Sequence, residues 1–550
     1  MQKNTEYYDN FYRKYPVNVH NSPARFSAVA NLLRGKVLDC GCGTGTLADY
    51  YMGDYCGIDI SDVAVSKARD VRRKDANFAV GDLTKKTKIE PADFDCAYIG
   101  EVLEHVEDDT VVFDNVLRAL KKGARIVVTV PNGERVPDES HCRIFTVAQI
   151  RRDYSKYGKV RFYNWEGAER RILFTIDIDE PEQNNMSLVM IVKDEQKGIE
   201  KAILSALPLV DRVVISVDTK TQDNTAKIAE MYADELKFHE WKDDFSAARN
   251  FAQENVKSKW ILFLDGHEYV ESEADVREKM LFDVDGIFVT VRMESGMTFL
   301  YPRIYKSHIK FKNAVHNINE CATRRVCKDF VIVHDRVNLQ DGDAIERRNA
   351  QRDEMLPKEM QKAIEKNPKN VRAHFHLANY LMMRQKQKEA MRHYKKVVKF
   401  GKSVDEKYLS LVHIGAIHAA KANFLRAFLA FKKADRLMPN RWESARVMGG
   451  LFLMQGEFKN AVECFVEALT PNKRRYAYEP MQQNFAEIWD MIGHCFTKLD
   501  QNEKALIAFQ QAAKNAKSEK QRDFFEQKAK LIKTLIPHCE EQQAQIEKPA

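Results

Sequence analysis

Residues 35–45 read GKVLDCGCGTG. Val37 and Leu38 form a short apolar run that meets Asp39, and Gly41, Gly43 and Gly45 follow at alternate positions. A strand that runs into glycines ahead of a helix lets a ligand approach the backbone closely. Working outward, the pattern repeats. Twenty residues beyond Asp39, a second strand-like run ends in Gly57-Ile58-Asp59-Ile60-Ser61. An acid at that point suits a ribose, whose two hydroxyls need an acceptor. A third acid lies in Gly81-Asp82-Leu83, after Asn77-Phe78-Ala79-Val80. The runs Phe94–Gly100 and Ala124–Asn132 come next. Strands that alternate with helical stretches predict a parallel, doubly wound α/β sheet.

This succession resembles the class I S-adenosylmethionine (SAM) methyltransferases over roughly residues 20–176. The resemblance implies a Rossmann-like domain, assigned here to residues 1–178, with SAM as cofactor. It implies that Asp39, Gly41, Gly43 and Gly45 line the cofactor, the glycines facing its methionine part. Asp59 then binds the ribose, and Asp82 lies beside the adenine amino group.

Glu101-Val102-Leu103-Glu104-His105 adds chemistry to this domain. On a helix, positions i, i+3 and i+4 share one face, so Glu101, Glu104 and His105 are expected to converge. Two carboxylates and an imidazole can hold a divalent ion, with His141 as a fourth ligand from the next crossover. The pattern is similar to the metal-binding ExxEH of ubiquinone-pathway O-methyltransferases and small-RNA 2′-O-methyltransferases. In other related methyltransferases, LEH only caps the SAM pocket, so both readings stand.

The polar stretch DIDEPEQNNM at 177–186 reads as a linker. Three further strands follow. One ends in Lys193-Asp194-Glu195, one in Asp218, and one in Asp265-Gly266-His267-Glu268. Ligands in α/β sheets bind beyond such carboxyl ends. With VDTKTQDNT (217–225), WKDDFSAARN (241–250) and LFLDGHE (262–268), the segment resembles glycosyltransferase family 2 of the GT-A fold. That subgroup includes the sublancin-type S-glycosyltransferases, which also carry helical repeats. A second α/β domain is therefore assigned to 186–348.

The resemblance implies a nucleotide-sugar donor on Asp194, Asp218, Asp223 and Arg249. A divalent metal, Mn or Mg, would be held by Asp265, His267 and His316. His267 stands where the second Asp of the usual Asp-x-Asp falls; imidazole suits Mn²⁺ better than Mg²⁺. The alternative is an enzyme that has lost its metal. His316 is followed by Asn317 rather than the family's Glu. Glu294 and Glu320 are then the candidate bases that take the acceptor proton. His334 fits the family pattern, and equally a structural strand-end histidine.

From about 351 to 536 the chain shows self-similarity instead of strands. A small residue leads, at +12, +16 and +19, to an alanine, an aromatic and a small residue. Ala378 leads to Ala390, Tyr394 and Val397, and Gly415 to Ala427, Phe431 and Ala434. Gly449 leads to Ala461, Phe465 and Ala468, and Gly493 to Ala505, Phe509 and Ala512. Small residues let paired helices approach and the aromatic fills the gap between units. This resembles the tetratricopeptide pattern, giving an all-α solenoid over 349–538, a capping helix at Asp523 to Leu535, and a tail at 539–550. A loop is expected at Thr470 to Tyr476.

The chain has 550 residues and a formal charge of +7. Its 30% charged and 44% hydrophobic residues are ordinary for a soluble protein. The start lacks a secretory h-region, no run is long enough to span a bilayer, and the ten cysteines are scattered, so a cytoplasmic location is expected. Charge is uneven: residues 371–540 carry +13 and residues 1–370 carry −5. The basic repeats either attract an acidic partner or present a solvated outer face.

The expected protein is a bifunctional enzyme. It transfers a sugar to a peptide, protein or glycan acceptor held on the repeats, and a methyl group from SAM to a sugar hydroxyl. Self-association through the repeats is a further expectation. One rival is nucleic-acid ribose methylation with base glycosylation, though no nucleic-acid motif is present. The other is a non-catalytic interaction scaffold.

Overall fold

The structure is a computed structural model. It describes residues 5–536 except 20–21, 91, 134, 180–184, 272–273, 275, 295, 297, 313–317, 320, 341, 440, 470–483 and 517. The chain folds into two compact units, one of residues 1–296 and 300–348, the other of the remainder.

The first unit opens with α1 (Thr5–Lys14) and α2 (Pro23–Ala30), then β1 (Val37–Cys40), β2 (Tyr55–Asp59), α3 (Asp62–Val71), β3 (Asn77–Val80) and β4 (Phe94–Gly100). After these come α4 (Thr110–Ala119), β5 (Leu120–Pro131), α5 (Val147–Tyr154), β6 (Gly158–Tyr163) and β7 (Arg171–Ile178). The sheet order is β3-β2-β1-β4-β5-β7-β6. β3 to β5 are parallel, and the β6–β7 hairpin closes the edge antiparallel to β5. β1 reads VLDC and is buried along its whole length, so its one acid, Asp39, is carried into the core by its neighbours.

A second sheet begins in the same unit. Its elements are β8 (Met186–Val192), α6 (Ile199–Ala206), β9 (Arg212–Asp218), α7 (Thr225–Tyr232), β10 (Glu235–His239), α8 (Phe245–Ala252), β11 (Trp260–Phe263) and β12 (Glu268–Val270). They continue as α9 (Arg277–Met280), β13 (Gly286–Met293), β14 (Thr298–Lys306), the short pair β15 (Phe311–Lys312) and β16 (Ile318–Asn319), β17 (Arg324–His334) and α10 (Arg336–Leu339). The order is β10-β9-β8-β11-β14-β13-β17-β12. The parallel half, β10 to β11, brings the ends of β8, β9 and β11 to one edge.

Both sheets share one continuous apolar core, which runs from Leu38 and Phe94 through Tyr154 to Met190, Ile215 and Leu262. Polar contacts also cross between them. Asn132 donates to the Tyr232 hydroxyl at 2.7 Å, Tyr232 donates to Glu200, and Arg151 pairs with Asp234.

After α11 (Gly342–Lys366), the second unit is helical throughout its described residues. Its repeats are α12 (Val371–Met383) with α13 (Gln387–Phe400), α14 (Val404–Ala419) with α15 (Phe424–Leu437), α16 (Trp442–Met454) with α17 (Phe458–Leu469), and α18 (Phe485–Lys498) with α19 (Asn502–Lys514). The array ends in α20 (Glu519–Lys533), which overlaps the expected capping helix at Asp523 to Leu535 and begins four residues earlier. The spaced small and aromatic residues all fall inside: Ala390, Tyr394, Ala427, Phe431, Ala461, Phe465, Ala505 and Phe509 are buried. A Cβ on Gly415 would sit 2.2 Å from the Phe431 ring, which is why the first helix needs glycine there. Each helix pair turns through a left-handed residue, Gln385, Ala422, Gly456 and Asp500 in succession. The loop expected at Thr470 to Tyr476 lies outside the described residues.

Candidate functional site

The glycine loop after β1 holds three left-handed residues, Gly41, Gly43 and Gly45. At Gly43, a Cβ would lie 2.7 Å from the Tyr12 hydroxyl. α1 therefore rests close on the loop, held by Asp9, which accepts from the Ser61 hydroxyl at 2.6 Å, and by Lys67, which donates to the Tyr15 carbonyl at 3.1 Å. Under α1 lies a cavity of about 520 Å³, lined by Tyr8, Tyr12, the glycine loop, Asp39, Asp59 and Asp82 at one part and by Glu101, Glu104, His105 and His141 at another. Its volume is in the ordinary range for a cofactor site.

Asp59 sits at the end of β2. Its two oxygens accept from the backbone N–H of Gly43 at 2.8 Å and of Ser61 at 2.9 Å. Burial still raises its pKa, against those hydrogen bonds. Asp39 is pushed up to about 7, mainly by burial, although the Tyr55 hydroxyl donates to it. Asp82 goes the other way: burial would raise it, but Lys85 and Thr84 bind its carboxylate and hold it below the usual range.

The stretch from Glu101 to His105 is not the helix expected from its spacing. Glu101 takes a left-handed conformation, φ 56°, and only Leu103–His105 forms a single 3₁₀ turn. The backbone reverses where β4 ends, and Glu101 is drawn to Arg171, 2.6 Å from its Nε, with Arg25 at 3.7 Å. Glu101 therefore leaves the group it was expected to join. Glu104, His105 and His141 do come together, with one ligand atom from each lying within 4.8 Å of the others. Glu104 is almost fully buried, and its Oε2 has no hydrogen-bond partner. Burial, then the charge of Glu101, push its carboxyl well up. Ser140 steadies His105, its hydroxyl 3.1 Å from Nδ1. An orphaned buried carboxylate oxygen beside two imidazoles fits a divalent cation, because such an atom costs stability unless something pairs with it.

In the second sheet, the acids at strand ends hold loops together. Asp194 accepts from the Gln222 N–H at 2.8 Å, and Asp223 from the Gln196 and Thr225 N–H groups at 3.0 and 2.9 Å. Asp218, at the end of β9, is buried and 3.3 Å from Lys193. Asp265 pairs with Arg249 at 3.0 Å and Arg303 at 3.8 Å. Burial opposes its ionisation, yet the two guanidiniums hold its carboxyl well below the carboxylate range. Arg249 itself is packed over the rings of Phe263 and Phe311.

His267 and His334 meet edge to face with ring centres 4.6 Å apart. Nδ1 of His267 is engaged by Glu195 at 3.2 Å and Gln340 at 2.9 Å; Nδ1 of His334 lies 3.1 Å from Glu268. These contacts hold both rings through Nδ1, as partners of metal-binding histidines commonly do. Asp265 and His267 are donor types that a divalent ion accepting imidazole would take, but the Asp265 carboxylate is engaged by the two arginines, and among the described residues only Glu104, His105 and His141 bring three ligand atoms together. Glu294 follows Met293, which lies opposite His334, and it accepts from the Arg336 and Val337 N–H groups at the start of α10. His316 and Glu320 lie outside the described residues.

Several residues of these sites went unread in the sequence. Glu195 and Glu268 stand inside quoted motifs, but nothing in their spacing, or in that of Arg303, marks these residues as the partners of His267, His334 and Asp265. Gln340 gives no signal, being 73 positions from His267. Tyr8 and Tyr12 are two of the aromatics of TEYYDNFYRK, a composition that also suits an ordinary amphipathic helix.

Family models bear on all three segments. A methyltransferase domain model matches residues 38–128, a glycosyl transferase family 2 model 187–335, and a tetratricopeptide repeat model 486–519. The chain thus carries a methyltransferase domain, a family 2 glycosyltransferase domain of GT-A type and tetratricopeptide repeats. A TPR repeat-containing protein of Synechococcus elongatus is 39% identical over 141 residues, 24% of this chain and 35% of that one. The SPbeta prophage-derived glycosyltransferase SunS of Bacillus subtilis is 26% identical over 226 residues, 38% of this chain and 52% of that one. Phosphoethanolamine N-methyltransferase 1 of Triticum aestivum is 35% identical over 102 residues, 17% of this chain and 20% of that one. The chain therefore spans about half or less of each of these relatives.

Proposed function

We propose that the chain transfers a sugar from a nucleotide-sugar donor to a peptide, protein or glycan, and a methyl group from SAM to a hydroxyl of that sugar. One observation carries the reading: both strand-end sites belong to a single packed unit whose two sheets share a core. Two sites on one body meet the same acceptor at high effective concentration.

In the first site, the glycine loop and Asp59 hold SAM, with Asp39 and Asp82 at its flanks. Glu104, His105 and His141 would hold a divalent ion, which when bound lowers the pKa of the accepting hydroxyl. In the second, Asp218, Asp194, Asp223 and Arg249 hold the donor. Asp265 and His267, with His316, would hold Mn²⁺ or Mg²⁺, which when bound offsets the charge of the donor diphosphate. The two guanidiniums keep Asp265 ionised, and Glu195 and Gln340 keep the His267 ring in place. The similarity to SunS supports the glycosyl step. The repeats serve as a protein-binding surface.

The test is mass spectrometry of acceptors incubated with SAM, Mn²⁺ and a panel of nucleotide sugars. A product heavier by a sugar plus one methyl group is expected. Methylation that proceeds without any sugar donor, or no consumption of any donor, would refute the reading.

A further inference from the structure

The outward face of the first two repeats carries a dense positive charge that neither catalytic site uses. On α13, Lys388, Arg392, Lys395 and Lys399 follow one another at spacings of four, three and four, so they stand on one side of the helix. All four are exposed, while Ala390, Tyr394 and Val397 occupy the buried side. The row is about 16 Å long at ~1.5 Å per residue. Among the described residues, none of the four forms an ion pair. At the end of the row, Lys369, Lys396 and Lys399 all lie within 6 Å of the Phe400 ring centre, at 5.9, 5.7 and 5.2 Å. The charge continues into the next unit. Burial, and then the charges of Arg426, Lys395 and Lys421, lower the pKa of His418 on the intervening helix α14.

This charge sits beside exposed aliphatic side chains. On α15, Leu425 is 73% and Leu429 51% exposed, one turn apart and flanking Arg426. The aromatics of α13 and α15 are all buried or half-buried.

We propose that this face docks on an anionic lipid bilayer. The charge calls for a polyanion, and three features select among polyanions. An extended acidic peptide is best held in the concave groove of a solenoid. Here the cations stand on α13 and α15, the second helices of their repeats, on the side opposite the buried Ala390, Tyr394 and Val397 of α13. Single-stranded nucleic acid is gripped by aromatic platforms, and this face offers leucines. Leucines among lysines and arginines match a surface with anionic headgroups over an apolar interior. The contact would be peripheral, because no helix among the described residues is long and apolar enough to cross a membrane.

Flotation of the full chain with vesicles tests this. Binding is expected to phosphatidylcholine vesicles containing about a quarter phosphatidylglycerol, weakening as salt rises, and not to pure phosphatidylcholine. Lys395→Glu with Lys399→Glu is expected to weaken binding by about fivefold or more per reversed charge. Leu425→Ser with Leu429→Ser is expected to weaken it while preserving the salt dependence. Neither pair should change donor hydrolysis in solution. If the charge-reversed chain fails to fold, Lys395→Gln with Lys399→Gln reads the same loss. The proposal is overturned by equal binding to neutral vesicles, by no binding to anionic ones, or by charge variants that bind like the parent. Tighter capture of polyglutamate or of a single-stranded oligonucleotide than of anionic vesicles would also overturn it.

Discussion

The side-chain amide of Asn132 lies 2.7 Å from the hydroxyl of Tyr232, joining the end of the methyltransferase sheet to a helix of the glycosyltransferase domain. Both residues are buried, and around them Arg151 pairs with Asp234 and Arg135 with Glu200. The two domains therefore meet through a fixed, desolvated polar seam as well as an apolar core.

The seam predicts a joint loss of stability. The Arg151 and Asp234 side chains are 5% and 9% exposed. Removing one member of a buried pair leaves an uncompensated charge, at a cost of about 3–5 kcal/mol. Arg151→Ala should lower the thermal midpoint of both catalytic domains together. Two separate calorimetric transitions, with only one of them moved, would contradict a shared fold.

Asp39 predicts a pH dependence with a definite sign. Its pKa in the folded chain is about 7, above that of an unfolded aspartate, so folding favours the protonated form. Its stabilising contribution is complete below about pH 4 and is lost as pH rises towards 7. The change is on the order of 4 kcal/mol. Asp39→Asn should flatten the fall in thermal midpoint between pH 5 and about 7.5. A parent and variant with parallel pH curves would rule this out.

Glu104 predicts a metal effect readable without turnover. Titration calorimetry with Mn²⁺ should show binding in the parent that Glu104→Gln weakens by at least about tenfold. Chelation should slow methyl transfer in the parent. The Gln variant is expected to be no less stable than the parent without metal, because it removes a buried acid whose ionisation burial already disfavours. Unchanged Mn²⁺ affinity would remove the ion from this site.

In the glycosyltransferase site, Asp265→Asn should abolish sugar transfer and also destabilise the fold. Arg249 and Arg303 are both largely buried and would lose a shared carboxylate, at a cost of a few kcal/mol. Thermal unfolding with a donor-hydrolysis assay checks both effects. Full activity in the variant would count against Asp265 as the centre of the site.

The repeats predict opposite signs for two small substitutions. Gly415→Ala gains about 1 kcal/mol of helix propensity, but its Cβ would strike the buried Phe431 ring, and overpacking costs about 1–3 kcal/mol. A net loss is expected. Ala422 is left-handed, φ 53°, where an L side chain costs about 1–2 kcal/mol. Glycine recovers that strain and loses about 0.4–1 kcal/mol through the greater freedom of the unfolded chain. Ala422→Gly should raise the urea midpoint of unfolding slightly, as equilibrium urea denaturation can measure.

The sequence determined what is local or periodic. Glycines at 41, 43 and 45 and acids at strand ends announce nucleotide-type sheets, because strands must end where backbone and carboxylate meet a ligand. The repeat spacing was legible because every unit buries the same positions against its neighbour. Tertiary structure decided the rest. Spacing placed Glu101 with Glu104 and His105, but a left-handed backbone and Arg171 took it away. It also brought Glu195 and Gln340 onto His267 from elements far apart in the chain. Hydrogen bonds between distant side chains leave no period in a sequence. They exist only once the sheets have fixed which loops stand side by side.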